Sequence, residues 1–186
     1  MTTFFAYIAI GLVILGLINI VVSTYNKLVM LNNNTDKTFK NIDILLKQRA
    51  DEIPNLIKVV KEFQNHESDL LTKLTKLRTD FLQANTVKDK VEISNEMNKQ
   101  LKTLFAVSEN YPDLKSNENF LLLQNRVSQI EDAIADRREL YNESVNMYNI
   151  GIAEFPNVLL AKPMGYNKKE FFNITEQEIE YNGVTF

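Results

Sequence analysis

The chain has 186 residues, a formal net charge of −3 and no cysteine. The lack of cysteine excludes disulfides, thiolate metal sites and cysteine nucleophiles, and the mixed charge provides no basic surface for nucleic acid. Only five glycines and four prolines interrupt the chain, which is too few turns for a many-stranded fold. The composition therefore predicts an all-α protein with no nucleic-acid partner.

Residues 4–22, FFAYIAIGLVILGLINIVV, contain no charge and only one clearly polar side chain, Asn19. As a helix they are about 28 Å long, close to the hydrocarbon thickness of a bilayer, and they predict a transmembrane anchor after a short external N-terminus (residues 1–3). A cleaved signal is the alternative, but MTT lacks a basic region and no A-x-A site follows. The anchor residues expected to face lipid include Phe4, Phe5, Leu12, Val13, Ile14, Leu15 and Val22.

The basic residues around this span predict its orientation. No lysine or arginine precedes it, whereas five follow within the next 27 residues: Lys27, Lys37, Lys40, Lys47 and Arg49. Cytoplasmic flanks carry the excess of basic residues. We therefore expect a single-pass protein with its N-terminus outside and its C-terminal domain in the cytoplasm.

Apolar residues then recur at alternating steps of three and four from Phe39 to Phe81. The series is Phe39, Ile42, Leu46, Arg49, Ile53, Leu56, Val60, Phe63, Glu67, Leu70, Leu74, Leu77 and Phe81. This phase predicts one helix, or two nearly collinear helices, over residues 36–82. Pro54 predicts either a kink in that helix or a new helix that starts there.

The second half of the chain repeats the pattern. A shorter helix is predicted over residues 87–110, and a long one follows with Ser116 as a candidate N-cap. The apolar series of the long helix is Phe120, Leu123, Val127, Ile130, Ile134, Arg137, Tyr141, Val145, Tyr148, Ile152 and Phe155. The pattern predicts an antiparallel long-helix bundle over residues 23–172, followed by a polar, acidic tail (residues 173–186).

The middle helix is about half as long as its neighbours, so part of each apolar seam would remain uncovered. An uncovered heptad seam favours self-association through coiled-coil contacts. The alternatives are that Pro54 folds the first helix back, or that residues 156–164 cover the excess.

Several residues on these seams are candidate assembly or partner contacts: Arg49, Asp51, Pro54, Glu67, Arg137, Tyr141 and Tyr148. A charged residue in a seam is either a buried pair that sets register, or a rim residue displaced by helix drift. The tyrosines, seven residues apart, are either buried with an amide partner or part of a site for a peptide or lipid headgroup. The segment GYNKKEFF (residues 165–172) either touches a membrane or docks onto the bundle.

Catalytic constellations are missing from the sequence. His66 is the only histidine, and HESDL lacks the second histidine of H-E-x-x-H. No glycine-rich phosphate loop is present, and the adjacent Glu131 and Asp132 point in different directions on a helix. We therefore expect no enzyme activity, no cofactor and no metal site.

Several strings in the chain resemble the LemA family. They are YNKLV (residues 25–29), IDILLKQRADEIPNL (42–56), the pair HE (66–67), YPDLKSNENF (111–120), RELYN (138–142), the pair YN (148–149) and EFPN (154–157). Where the family commonly has NP, this chain has YPDLKSN. The resemblance implies an N-terminally anchored helical-bundle protein of the bacterial envelope with no established enzymatic activity. Family members include proteins linked to magnetosome membrane formation and others encoded beside a membrane metalloprotease.

Together these features predict a non-catalytic scaffold in the bacterial cell membrane that self-associates and organises membrane or envelope partners. The alternative is an adaptor or sensor that presents its bundle to a membrane protease or another envelope client.

Overall fold

The computed structural model describes residues 1–63 and 68–172 of the chain. These residues form α-helices and contain no β-strand, so the all-α prediction is confirmed. The helices are α1 (Thr2–Phe63), α2 (Ser68–Gln83), α3 (Val87–Ser108), α4 (Pro112–Lys115), α5 (Glu118–Gly151) and α6 (Val158–Ala161). His66, Glu67 and residues 173–186 lie outside the described part.

Helix α1 continues through Pro54 without a break, so no new helix begins there. The prediction of one helix or two collinear ones is nevertheless wrong beyond Phe63, because α2 runs back along α1. The side chain of Arg78 reaches the carbonyl oxygen of Ala50 at 3.2 Å. Collinear helices would separate these residues by about 42 Å at 1.5 Å per residue. Burial departs from the predicted series at this reversal: Phe63 is 38% exposed, and α2 buries Leu71 in place of Leu70, together with Leu74 and Phe81.

The chain divides into two compact units. Among the described residues, unit 1 comprises Met1–Phe39 and Glu139–Phe171, and unit 2 comprises Lys40–Arg138 together with Phe172. Helices α1 and α5 therefore each contribute residues to both units.

Unit 2 is an up-down-up-down bundle of segments from α1, α2, α3 and α5. Lys90 meets Asp43 at 2.7 Å and Arg49 meets Ser94 at 2.8 Å, so α3 runs parallel to α1. Arg49 pairs with Glu131 and Glu52 with Arg126, so α5 runs antiparallel to α1. Lys90 lies over the Phe81 ring and Glu96 pairs with Lys73, so α2 runs antiparallel to α3. The apolar seam of α1 is buried by this chain alone, at Ile42, Leu46, Ile53, Leu56 and Val60. The length mismatch that suggested an uncovered seam therefore disappears once α2 folds back.

Side-chain caps define two helix starts in unit 2. Thr86 accepts a hydrogen bond from the Asp89 backbone at 3.1 Å, ahead of α3. Asn117 accepts one from the Phe120 backbone at 3.0 Å, ahead of α5. The cap of α5 is therefore Asn117, and the prediction of Ser116 was wrong by one residue.

Unit 1 combines the first part of α1, the end of α5 and the segment that follows it. Its apolar cluster joins Leu28 of α1 to Tyr148, Ile152 and Ala161. Helix α5 ends at Gly151, so the predicted helical seam does not extend to Phe155.

Candidate membrane span and polar packing centres

The apolar part of α1 presents its side chains outward. Its large apolar residues are 46–75% exposed from Phe4 to Val22, including the predicted anchor residues Phe4, Phe5, Leu12, Val13, Ile14, Leu15 and Val22. Thr24, at 7% exposure, is the first buried residue of the helix. Burial thus begins where the predicted span ends. Within the described residues, α1 is the one helix long and apolar enough to cross a membrane.

Arg49 is the centre of a buried polar cluster in unit 2. Its side chain is fully buried and pairs with the Glu131 carboxylate of α5. It also donates to the carbonyl oxygen of Ser94 of α3 at 2.8 Å and to the hydroxyl of the same serine. Asn98 donates to the other Glu131 oxygen at 2.8 Å. One guanidinium therefore joins α1, α3 and α5, and a buried charge is tolerated because it is paired and hydrogen-bonded.

The neighbours of Arg49 contact further helices. Glu52 pairs with Arg126 of α5, and Asp51 lies 3.9 Å from Arg78 of α2. A single turn of the RADEIPN string, from Arg49 to Glu52, thus binds the helices that surround α1 in unit 2. The string is a packing centre, which agrees with the absence of a reactive motif in it.

Pro54 is exposed, yet its effect on the backbone falls on a buried residue. A proline has no N–H, so the carbonyl four residues earlier, at Ala50, loses its helical partner. Ala50 is fully buried, and an orphaned buried carbonyl is costly. The Arg78 guanidinium of α2 donates to this oxygen at 3.2 Å and replaces the missing bond. Pro54 and Arg78 therefore act as a pair, although 24 positions separate them.

Arg137, predicted in the α5 seam, is exposed, and the buried arginine is Arg138, at 5%. Arg138 donates to Asn95 at 3.3 Å, and its guanidinium lies 4.6 Å from the ring centroid of the buried Phe172. Steps of 3.6 residues place Arg138 five full turns after Phe120. At about 100° per residue, Arg137 falls at the edge of the buried stripe, which is the rim position that the second alternative for a seam charge described.

A second polar centre, in unit 1, is formed by Lys169. Its ammonium group binds the Asp36 carboxylate at 2.8 Å and the Thr35 hydroxyl. It also lies 4.9 Å from the centroid of the Tyr148 ring. The Lys169 backbone exchanges two hydrogen bonds of 2.9 Å with the Asn149 amide. The segment around Lys169 is therefore docked onto α1 and α5, as the docking alternative for GYNKKEFF proposed.

Tyr141 and Tyr148 are buried in unit 1, which confirms the burial that the first of the two interpretations expected, while its amide partners stay a prediction. Tyr141 stacks edge-on against Phe39, with ring centroids 5.7 Å apart, and donates to the Glu170 carbonyl at 3.4 Å. Tyr148 lies 6.0 Å from the Tyr166 ring. Burial raises the pKa of both phenols, because it disfavours the charged phenolate.

Sequence reasoning missed the partners of these centres, namely Glu131, Ser94, Asn98, Arg138 and Lys169. Glu131 and Asn98 each directly follow a buried apolar residue, Ile130 and Met97. That position beside a seam is the one signal that could have suggested a buried contact. The described residues contain no group of three or more histidine, cysteine, aspartate or glutamate side chains that could hold a metal ion.

A helical chain whose first helix exposes an apolar span and then enters a polar-centred bundle is a membrane-associated helical protein. A model of the LemA family matches residues 38–186, and the chain belongs to the LemA family. This agrees with the resemblance of the RADEIPN and YN strings.

Two magnetosome proteins are similar to the chain. Magnetosome protein MamQ 2 of Paramagnetospirillum magneticum is 24% identical over 174 residues, which cover 80% of this chain and 64% of the relative. Magnetosome protein MamQ of Magnetospirillum gryphiswaldense is 33% identical over 70 residues, or 38% of this chain and 26% of the relative. The chain thus spans about two thirds of the length of the first relative.

Proposed function

We propose that this protein is a non-catalytic, membrane-anchored helical scaffold that self-associates and organises membrane or envelope partners. The observation that carries the proposal is the continuity of α1. One helix holds both the exposed apolar residues of the span and the buried seam of unit 2, with Thr24 at the transition. Exposed apolar surface of this extent requires lipid or protein around it.

The non-catalytic part of the proposal is supported by how the polar groups are used. Arg49 and Glu131 bind each other inside unit 2, and Lys169 binds Asp36 in unit 1. Each of these charges holds a helix or segment in place, so its hydrogen bonds stabilise the fold.

Self-association is supported by a second apolar stripe, on the outer face of α5 in unit 1. Leu140, Met147 and Ile150 are 46%, 49% and 50% exposed, at spacings of seven and three that place them on one face of the helix. This stripe, and not the buried seam, is the surface we assign to contacts between copies. The kinship with proteins named as magnetosome proteins supports a role on a membrane.

Orientation follows from the basic residues after the span, which favour an external N-terminus and a cytoplasmic body in the bacterial cell membrane. The chain has no cysteine, so a single cysteine at Thr2 or at Lys168 reports its own side. We expect an impermeant thiol reagent added to intact cells to label Thr2→Cys and not Lys168→Cys. The reverse labelling would overturn the proposed orientation.

The scaffold is tested by the mass of the protein in detergent, measured by light scattering. Full-length protein and a form that starts at Ser23 should both be large and uniform. Met147→Glu should reduce the mass of both forms, whereas Lys168→Glu, a change to the same acidic residue at an exposed position of unit 1 outside α5, should not. Monomers of the unaltered protein would contradict self-association. A small species that enlarges only when a client is added would favour the adaptor.

A further inference from the structure

The turn that follows α5 lies at the membrane end of unit 1. The Ser144 and Thr38 hydroxyls are 2.8 Å apart, Ile152 packs in the cluster around Leu28, and Glu154 binds Lys27 at 3.1 Å. From Ser144 to Glu154, the contacted residues of α1 therefore lie progressively closer to the span.

Beyond Glu154 the chain turns and moves away from the span again. Ala161 packs in the Leu28 cluster, Tyr166 meets Tyr148, and Lys169 reaches Asp36. The partners on α1 thus run from Lys27 back to Asp36. Residues 154–157 are the part of this hairpin nearest to the span.

The level of this turn can be placed along α1. Lys27 is five residues beyond Val22, which is about 7–8 Å of helix. The interfacial layer on each side of the hydrocarbon core is about 5–8 Å thick. The Lys27–Glu154 pair therefore sits at the headgroup level when the span crosses a bilayer.

The turn presents apolar side chains at that level. Phe155 is 81% exposed and Leu159 is 64% exposed, although the residues around them are held in place. Asn157, at 3% exposure, donates to the Gly151 carbonyl at 2.8 Å, and Ala161 is buried at 2%. Because the turn is held in place, Phe155 and Leu159 face outward without the freedom to fold back onto unit 1.

We propose that this turn is a second membrane contact, in which Phe155 and Leu159 enter the headgroup region of the leaflet from which α1 emerges. Aromatic and aliphatic side chains are favourable at this depth. The exposed Lys162 is close in sequence and suits anionic headgroups. The inference rests on the proposed membrane span, whose position fixes the bilayer plane. Its effect is to hold unit 1 to the bilayer at two points, α1 and the turn.

The test uses the absence of tryptophan from the sequence, which makes any introduced tryptophan a single reporter. The full-length variants Phe155→Trp, Ile14→Trp and Lys37→Trp are reconstituted in vesicles of phosphatidylcholine and phosphatidylglycerol. In one set of vesicles part of the phosphatidylcholine carries bromine on its acyl chains near the ester, and in a second set it carries bromine near the chain ends. Circular dichroism checks that each variant keeps its helix content.

We expect Phe155→Trp to be quenched by bromine near the ester and Ile14→Trp by bromine near the chain ends, both with blue-shifted emission. Lys37→Trp, which lies on the same helix about 22 Å beyond Val22 at 1.5 Å per residue, should remain unquenched. Because the turn is on the same side as the body, the direction of insertion into the vesicles does not affect the result.

Each other outcome is decisive. Quenching at Ile14→Trp without quenching at Phe155→Trp would overturn the second contact and leave the span intact. Equal quenching at Phe155→Trp and Lys37→Trp would also overturn it, because the contact would then not be confined to the turn. No quenching at any position would overturn both the span and the contact that rests on it.

Discussion

The two units use a basic side chain in different ways. In unit 2, Arg49 is fully buried and joins three regular helices through Glu131 and Ser94. In unit 1, Lys169 is partly exposed and holds an irregular segment against Asp36 and Tyr148. The polar centre of unit 2 is inside its core, whereas that of unit 1 is at its edge. Removing one partner of a buried ion pair lowers the free energy of unfolding much more than removing one partner of an exposed pair.

The largest effect expected from this contrast is at Arg49. Arg49→Leu should lower the free energy of unfolding of unit 2 by up to about 3 kcal/mol, since the partly buried Glu131 carboxylate loses the guanidinium and keeps the Asn98 amide. Chemical denaturation followed by circular dichroism measures it. Arg137→Leu, an exposed neighbour of the buried Arg138, should change stability by less than about 0.5 kcal/mol.

The double variant Arg49→Met with Glu131→Leu separates pairing from packing. Apolar residues of similar volume often replace a buried pair at little cost, so we expect most of the stability to return. A double variant as unstable as Arg49→Leu alone would show that the cost lies in lost shape and not in an unpaired charge.

The second effect concerns Pro54. Arg78→Met should cost about 1–3 kcal/mol, because the buried Ala50 carbonyl loses its donor. Pro54→Ala restores the helical N–H, so the double variant should be more stable than Arg78→Met alone. Denaturation of the four proteins in this cycle gives the coupling. Additive effects would contradict the pairing of Pro54 with Arg78.

The third prediction concerns Lys169, which binds Asp36 at the edge of unit 1. Lys169→Met removes one partly exposed ion pair and one cation–π contact, worth together about 1 kcal/mol. We expect faster amide hydrogen exchange in residues 165–171, with the global stability of unit 2 unchanged. Lys168→Met, an exposed neighbour, should leave the exchange rates as they are. Equal protection in both variants would place the docking energy in the Asn149 contacts instead.

The smallest effect is expected at alkaline pH, where Tyr141 and Tyr148 ionise. Burial raises the pKa of Tyr141 and Tyr148 above the usual value of about 10.0. The neutral phenols stabilise unit 1 fully below that pH, and this stability is lost as pH rises through the folded-state values. Absorbance of the phenolate in the folded protein should contain a component that ionises above the usual pKa of a tyrosine, and Tyr141→Phe or Tyr148→Phe should reduce that component. A titration curve without such a component would contradict the prediction.

Sequence periodicity was sufficient for most of the helical architecture. The span, α3 and the buried seam of α1 follow from patterns within each helix, where spacing alone decides which face is apolar. The reversal between α1 and α2 does not follow, because a spacing of seven joins Phe63 to Leu70 in the sequence, although Phe63 is exposed and Leu71 is the buried residue of α2. Phase reports which face is buried, and says nothing about the direction of the helix.

The polar centres were less predictable for a related reason. Arg49 was identified because it interrupts an apolar series, but Glu131 lies beside a series and interrupts nothing. Lys169 lies in a segment without periodicity, so no pattern connects it with Asp36, 133 positions earlier. Pairings of this kind arise from tertiary contacts, which periodicity within one element does not encode.

Because α1 is uninterrupted, the rotation of the span about the helix axis fixes the rotation of the helix that follows it. Between Val22 and Thr24 there is no turn or linker to absorb torsion. Inserting one alanine there would rotate every later residue of the helix by about 100° relative to the span, whereas seven would nearly restore the original azimuth. A twist of the span within the bilayer is therefore transmitted along α1 as a twist of the face that meets Tyr148 and α6.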